Sequence, residues 1–119
     1  MKGPTLTLSV SKNQLKCCSF GSGIIKVYSL SGELLQTYGT HGRGDAGQLN
    51  LPYISDDDDD GSVLIADCSD NILQVMSEQG EFSVLQLQPP VLDPRSAVLF
   101  NNHLYVTSDD EQKIYKYSC

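Results

Sequence analysis

The chain has 119 residues, 39% of them hydrophobic, and a formal net charge of −7 from 15 acidic and 8 basic side chains. That length holds at most one ordinary domain, and no apolar run nears the ~18 residues that a membrane span needs. The eight basic residues are scattered, which disfavours the clustered phosphate neutralisation of a nucleic-acid binder. Met1-Lys2-Gly3-Pro4 lacks the apolar block of a secretory leader, so a cytoplasmic protein without membrane contact is expected.

In chain order the sequence predicts short strands separated by turn signals, an all-β pattern. The first set is 6–10, 14–19, 24–29 and 34–38. The second is 53–55, 62–66, 72–77 and 82–87. The third has three members, 97–100, 103–107 and 113–117. Gly21-Ser22-Gly23, Ser31-Gly32, Asp60-Gly61, Gln79-Gly80 and Asn101-Asn102 mark turns between them, because these residues tolerate positive φ. No window shows convincing 3.6-residue periodicity.

Two segments echo each other. Val27-Tyr28-Ser29-Leu30-Ser31-Gly32-Glu33-Leu34 returns 48 residues later as Val75-Met76-Ser77-Glu78-Gln79-Gly80-Glu81-Phe82. A spacing of that size marks one supersecondary unit repeated. Between the first two sets lies Gly39-Thr40-His41-Gly42-Arg43-Gly44-Asp45-Ala46-Gly47-Gln48-Leu49-Asn50-Leu51-Pro52, followed by Val63-Leu64-Ile65-Ala66-Asp67 and Asn71-Ile72-Leu73-Gln74-Val75.

This succession of a Gly-rich loop, Gly-Gln-Leu, Pro, a strand ending Ala-Asp, Asn and an Ile-x-x-Val strand resembles the NHL repeat. The third set echoes it more faintly, with Ser108 where the family usually has Asp and Lys116 where it has an aliphatic residue. The resemblance implies an all-β fold, a partial β-propeller of about two and three-quarter four-stranded antiparallel blades, at roughly 5–38, 53–87 and 97–117. Val63, Ile65, Val75, Val84 and Val98 are then expected in the layers between blades. A partial ring exposes an apolar blade face, so either further blades or a homo-oligomer is expected to cover it.

The resemblance also implies a protein-interaction module that recognises a substrate or partner. NHL propellers often end tripartite-motif proteins, whose RING domain is a ubiquitin ligase, and none of that machinery lies in these 119 residues. The chain itself is therefore not expected to be an enzyme. An RNA-binding propeller and a piece of a calcium-dependent propeller hydrolase are the alternatives, the first opposed by the acidic balance.

Up-and-down strand order puts the links between blades and those between second and third strands at one end. His41, Arg43 and Asp45 thus share an end with Asp70 and Glu111, and these five are the candidate partner-binding residues. Against this stands the plainer reading that the glycines only shape the turn. Arg43-Gly44-Asp45 spells an adhesion tripeptide, which a Gly-rich loop generates by chance.

Asp67 and Asn71 are expected to be structural, bonding the next backbone amides as an Asx-turn. Asp56, Asp58 and Asp60, with Gly61 and Asp67, approach the spacing of a calcium loop. The strand after Gly61 would carry Asp67 to the opposite end of the blade, so the run is expected to be a solvated Asp-Gly turn. Cys17, Cys18, Cys68 and Cys119 have no CxxC spacing; free thiols are expected rather than zinc ligands. No cofactor motif is present, and His41 and His103 lie in no nucleophile–base pattern.

Overall fold

The computed structural model describes residues 6–19, 23–42, 45–57, 61–67 and 71–118. It is built from β1 (Leu6–Ser11), β2 (Gln14–Ser19), β3 (Ile25–Ser29), β4 (Leu34–Tyr38), β5 (Thr40–His41), β6 (Gln48–Leu49), β7 (Pro52–Asp57), β8 (Val63–Asp67), β9 (Ile72–Met76), β10 (Phe82–Leu85), β11 (Pro94–Phe100), β12 (His103–Ser108) and β13 (Lys113–Ser118). These form antiparallel meanders in the orders β1-β2-β3-β4, β7-β8-β9-β10 and β11-β12-β13. Among the leading strands, β7 adjoins both β1 and β11, as the inner strands of neighbouring propeller blades do.

Turn chemistry explains where the strands reverse. Lys12 and Asn13 (φ 49° and 60°) join β1 to β2, and Asn101 and Asn102 (φ 50° and 62°) join β11 to β12. Two consecutive positive φ angles define the tight hairpin whose twist matches the strands. The echo in the sequence is one turn used twice. The Glu33 amide donates to Ser29 Oγ (3.1 Å), and the Glu81 amide to Ser77 Oγ (3.0 Å). Gly32 and Gly80 each donate to the serine carbonyl at 3.0 Å, with φ of 95° and 89° that only glycine adopts freely.

Strand alternation sends successive side chains to opposite faces, which sorts the core into two layers. Cys18 and Ile25 of blade one meet Ile54, Val63, Ile65 and Met76 of blade two, with Tyr38 and Phe82 at the margin. Leu64 and Leu73 of blade two meet Ala97, Leu104 and Val106 of blade three, with Val75, Leu85, Tyr115 and Tyr117 against them. Adjacent cysteines divide accordingly: Cys18 is buried and Cys17, half-buried, is opposite Leu8 on the other face. Both are free thiols.

The expected layer residues Val63, Ile65 and Val75 take those places, and Val84 is half-buried. Val98 does not. Ala97 pairs with Val106 on the inner face, so the next residue turns outward, and Val98 is 45% exposed. With Phe100 at 63% and Ile114 at 68% it marks an outer apolar face on blade three; Leu8 at 61% and Val10 at 55% mark one on blade one.

Truncating a layer residue should be costly. Leu73→Ala, at a site with no exposed surface, is expected to lose about 2–5 kcal/mol in urea unfolding, with Leu30→Ala on the surface within ~0.5 kcal/mol of the wild type. Tyr117 supplies a pH test. Partial burial first, then the neighbouring Tyr115 and Glu111, hold its phenol above the ordinary value. A raised pKa favours the protonated folded form, so this stabilisation is complete below about pH 10 and is lost as pH rises through the raised value. Tyr117→Phe should flatten the alkaline loss of stability between pH 9 and 11; an unchanged slope would contradict this assignment.

Candidate functional site

The described residues of the links between blades lie at the same end of the array as Asp67, Asn71 and the β12–β13 link, and hydrogen bonds tie them together. Two buried polar side chains of blade two fix the loop that precedes it. Asp67, closing β8, accepts from the Asn50 amide through Oδ2 at 2.8 Å and from the Leu51 amide through Oδ1 at 3.2 Å. Gln74, in β9, accepts from the Gly47 amide at 2.9 Å and donates Nε2 to the Gln48 carbonyl at 2.9 Å. Both side chains are fully buried, where an unmatched polar group costs about 1–3 kcal/mol.

The loop is also closed within itself. Thr40 pairs with Gln48 and His41 with Leu49 in the short parallel ladder β5–β6. The Thr40 amide donates to Gly47 O (2.9 Å), the Gly42 amide to Leu49 O (3.0 Å) and the Gln48 amide to Asp45 O (3.0 Å). Gly39 turns the chain out of β4 with φ 91°; a Cβ there would come within 2.9 Å of the Gly23 carbonyl. Glycine is thus required at that corner by both backbone angle and space.

His41 and Asp45 are exposed on this fixed frame. His41 Nε2 lies 2.9 Å from Asn50 Oδ1, which orients the ring. Arg43 and Asp70 lie outside the described residues. Glu111, on the β12–β13 link, is exposed; its carboxylate accepts from the Tyr115 hydroxyl and pairs with Lys113 at 3.8 Å. Of the five sequence candidates, His41, Asp45 and Glu111 are thus the described side chains at the loop end.

A second cluster at this end was not singled out in the sequence. Arg95, near the start of β11, donates Nε to Asp93 Oδ1 (3.0 Å) and Nη1 to the Tyr53 hydroxyl (2.9 Å). Its guanidinium stands 5.3 Å from the Tyr53 ring centroid and 3.7 Å from Asp109 Oδ2. Tyr53 and Arg95 come from the inner strands of two blades, so the cluster bridges them beside the axis. Arg95, Ser108, Asp109 and Gln112 border a shallow depression of about 290 Å³.

Of the Asx-turns expected of Asp67 and Asn71, the amides that follow Asp67 lie outside the described residues; its carboxylate reaches back to Asn50 and Leu51, and Asn71 Oδ1 accepts from the Asp93 amide at 2.7 Å. Both span from a strand end to an inter-blade link, because those links pass over the strand ends. Ser108, in the place of Asp67, donates to Leu92 O (2.6 Å) and accepts from the Glu111 amide (3.1 Å). Asp56 lies in β7, opposite Leu64; Asp58 and Asp60 lie outside the described residues. Among the described residues no group of three His, Cys, Asp or Glu side chains is placed to hold a metal ion.

Asp67→Ala should leave the Asn50 and Leu51 amides without their carboxylate acceptor, at a cost of about 1–3 kcal/mol. Hydrogen exchange at those two amides should quicken while the β3–β4 turn keeps its wild-type rates. Unchanged exchange at both would show that the carboxylate does not hold the loop.

No family model matches this sequence, and no curated protein does. Solved structures do match. Virginiamycin B lyase from Staphylococcus aureus, as a catalytically inactive variant with quinupristin, aligns with a TM-score of 0.60 at 19% identity over 98% of this chain. The selenomethionine form of the same lyase aligns equally, with the same TM-score, identity and coverage. In both, the chain spans 41% of the neighbour's length. At this identity the likeness shows the fold: the chain is a set of β-propeller blades, part of a ring.

Proposed function

We propose that this chain is the partner-recognition part of an NHL-type propeller, acting by protein–protein contact rather than by catalysis. The observation that carries the reading is the 39–51 loop, whose backbone is clamped by buried Asp67 and Gln74 while His41 and Asp45 stay exposed. A backbone held at Gly47, Gln48, Asn50 and Leu51 that presents exposed polar side chains loses little entropy on binding, which favours specific recognition. Arg95, Asp109 and Glu111 extend the same end with charges of both signs, suited to a polar partner surface rather than to a phosphate backbone. The sequence resemblance supports a tripartite-motif parent, in which this propeller chooses the substrate and a RING domain elsewhere transfers ubiquitin.

The test is affinity capture on the immobilised chain, read quantitatively against variants. A partner should be retained by the wild type and by Glu33→Ala at the opposite end. It should weaken at least about tenfold with His41→Ala plus Asp45→Lys, as loss of central interface contacts does. A partner held equally by all three would place recognition elsewhere. Tight RNA binding with a steep salt slope in filter assays would overturn the protein reading.

A further inference from the structure

The two histidines are held in opposite ways. His103 places Nδ1 2.9 Å from the backbone carbonyl of Asn101. A carbonyl only accepts, so Nδ1 carries the hydrogen there. His41 instead places Nε2 2.9 Å from the Asn50 side-chain oxygen. That oxygen also only accepts, so the His41 hydrogen sits on Nε2 and Nδ1 keeps its lone pair. Among the described residues no hydrogen bond or ion pair engages Nδ1, and the side chain is exposed.

Asn50 can orient the ring because it is itself fixed. Its backbone amide donates to Asp67 Oδ2 at 2.8 Å, and Asp67 is fully buried. The His41 backbone is held from two further sides. It pairs with Leu49, which has no exposed surface, and the Gly42 amide donates to the Leu49 carbonyl at 3.0 Å. From blade one, Gly23 approaches so closely that a Cβ there would lie 2.4 Å from His41 Cα. Blade one thus backs the residue, and blade two orients its ring. An imidazole in water exchanges between two tautomers and turns about its side-chain bonds. Here both freedoms are lost before a partner arrives, which lowers the entropic cost of binding.

We infer that Asn50 is a positioning residue that holds His41 as the Nε2–H tautomer, so that the loop end offers its partner the Nδ1 lone pair as a hydrogen-bond acceptor. Asp45, exposed on the same loop, carries a carboxylate that when ionised also only accepts. The partner group that fits is therefore a charged donor, the side chain of a lysine or arginine. This deepens the recognition reading and rests on the loop end being the contact surface. The tautomer, however, is a property of the free chain and can be measured without a partner.

The test uses the full chain labelled with 15N at its two histidines. At about pH 8.5, well above the ordinary histidine value of ~6.5, long-range 1H–15N spectra should show His41 as Nε2–H and His103 as Nδ1–H. Asn50→Leu removes the acceptor and should let His41 populate both tautomers while His103 stays as it was. Asn50→Asp supplies an acceptor again and should restore Nε2–H. A residue that served only the fold would shift the unfolding midpoint without moving this ratio.

Diethyl pyrocarbonate, which acylates an unprotonated imidazole nitrogen, probes the lone pair directly. It should mark His41 at Nδ1 in the wild type and in Asn50→Asp, and at both nitrogens in Asn50→Leu. In the capture assay Asn50→Leu should weaken a retained partner about three- to tenfold, the worth of one hydrogen bond, and Asn50→Asp should not. His41 found as Nδ1–H in the wild type, or a tautomer ratio indifferent to Asn50→Leu, overturns the inference whatever the partner does. Equal retention by Asn50→Leu and the wild type overturns the acceptor role of Nδ1. Retention of no protein by any form is a failure of the recognition reading, and the hold of Asn50 on His41 then stands or falls on the spectra.

Discussion

The fold depends on polar side chains that blade two commits to the inside. Asp67 and Gln74 are the buried groups through which a strand end and a third strand hold the chain that leads into their own blade. A loop of this length, rich in glycine, loses much conformational entropy when fixed. Four hydrogen bonds from two side chains that are themselves dry offset that loss. Burial makes the bonds obligatory, since water cannot replace them. The blade thus determines both the path of the link and the placement of the side chains on its tip.

The third blade solves the same problem with other chemistry. Its link is held by Asn71 at the Asp93 amide and by Ser108 at the Leu92 carbonyl. The serine donates where Asp67 accepts, so the link between blades two and three presents a carbonyl where the earlier link presents amides. Arg95 then fills the axial side, joined to Asp93 and to Tyr53 of blade two. At this position the degenerate repeat keeps its geometry because serine in place of aspartate is met by a carbonyl in place of amides.

The strands and their pairing order were legible because hydrophobic alternation and Asn, Asp and Gly turns act locally. Ser29 to Glu33 and Ser77 to Glu81 form the same turn with nearly the same distances, so a match of a few residues sufficed. The Gly-rich loop was legible as a shape, and His41 and Asp45 as exposed side chains upon it. The ladder of Thr40–His41 with Gln48–Leu49 was not, since two-residue strands carry no period. Nor was Arg95, whose partners Tyr53, Asp93 and Asp109 lie 42, 2 and 14 positions away. Val98 was misplaced for a simpler reason: a one-residue shift of phase reverses the face, and the irregular pairing between Pro94 and Ser96 precedes it.

The two outer blades show what the layers contribute. In blade one, Cys18 of β2 and Ile25 of β3 are buried against blade two, while β1 leaves Leu8 and Val10 more than half exposed on the opposite face of the same sheet. The composition of the two faces is similar; only the neighbour differs. Burial of each such side chain is worth about 1.5–3 kcal/mol, so the uncovered faces withhold an amount comparable to the stability of a small domain. Blade two, covered on both sides, is accordingly the part best able to carry precise geometry. The loop it clamps is therefore the surface whose shape depends least on what lies beyond the outer blades.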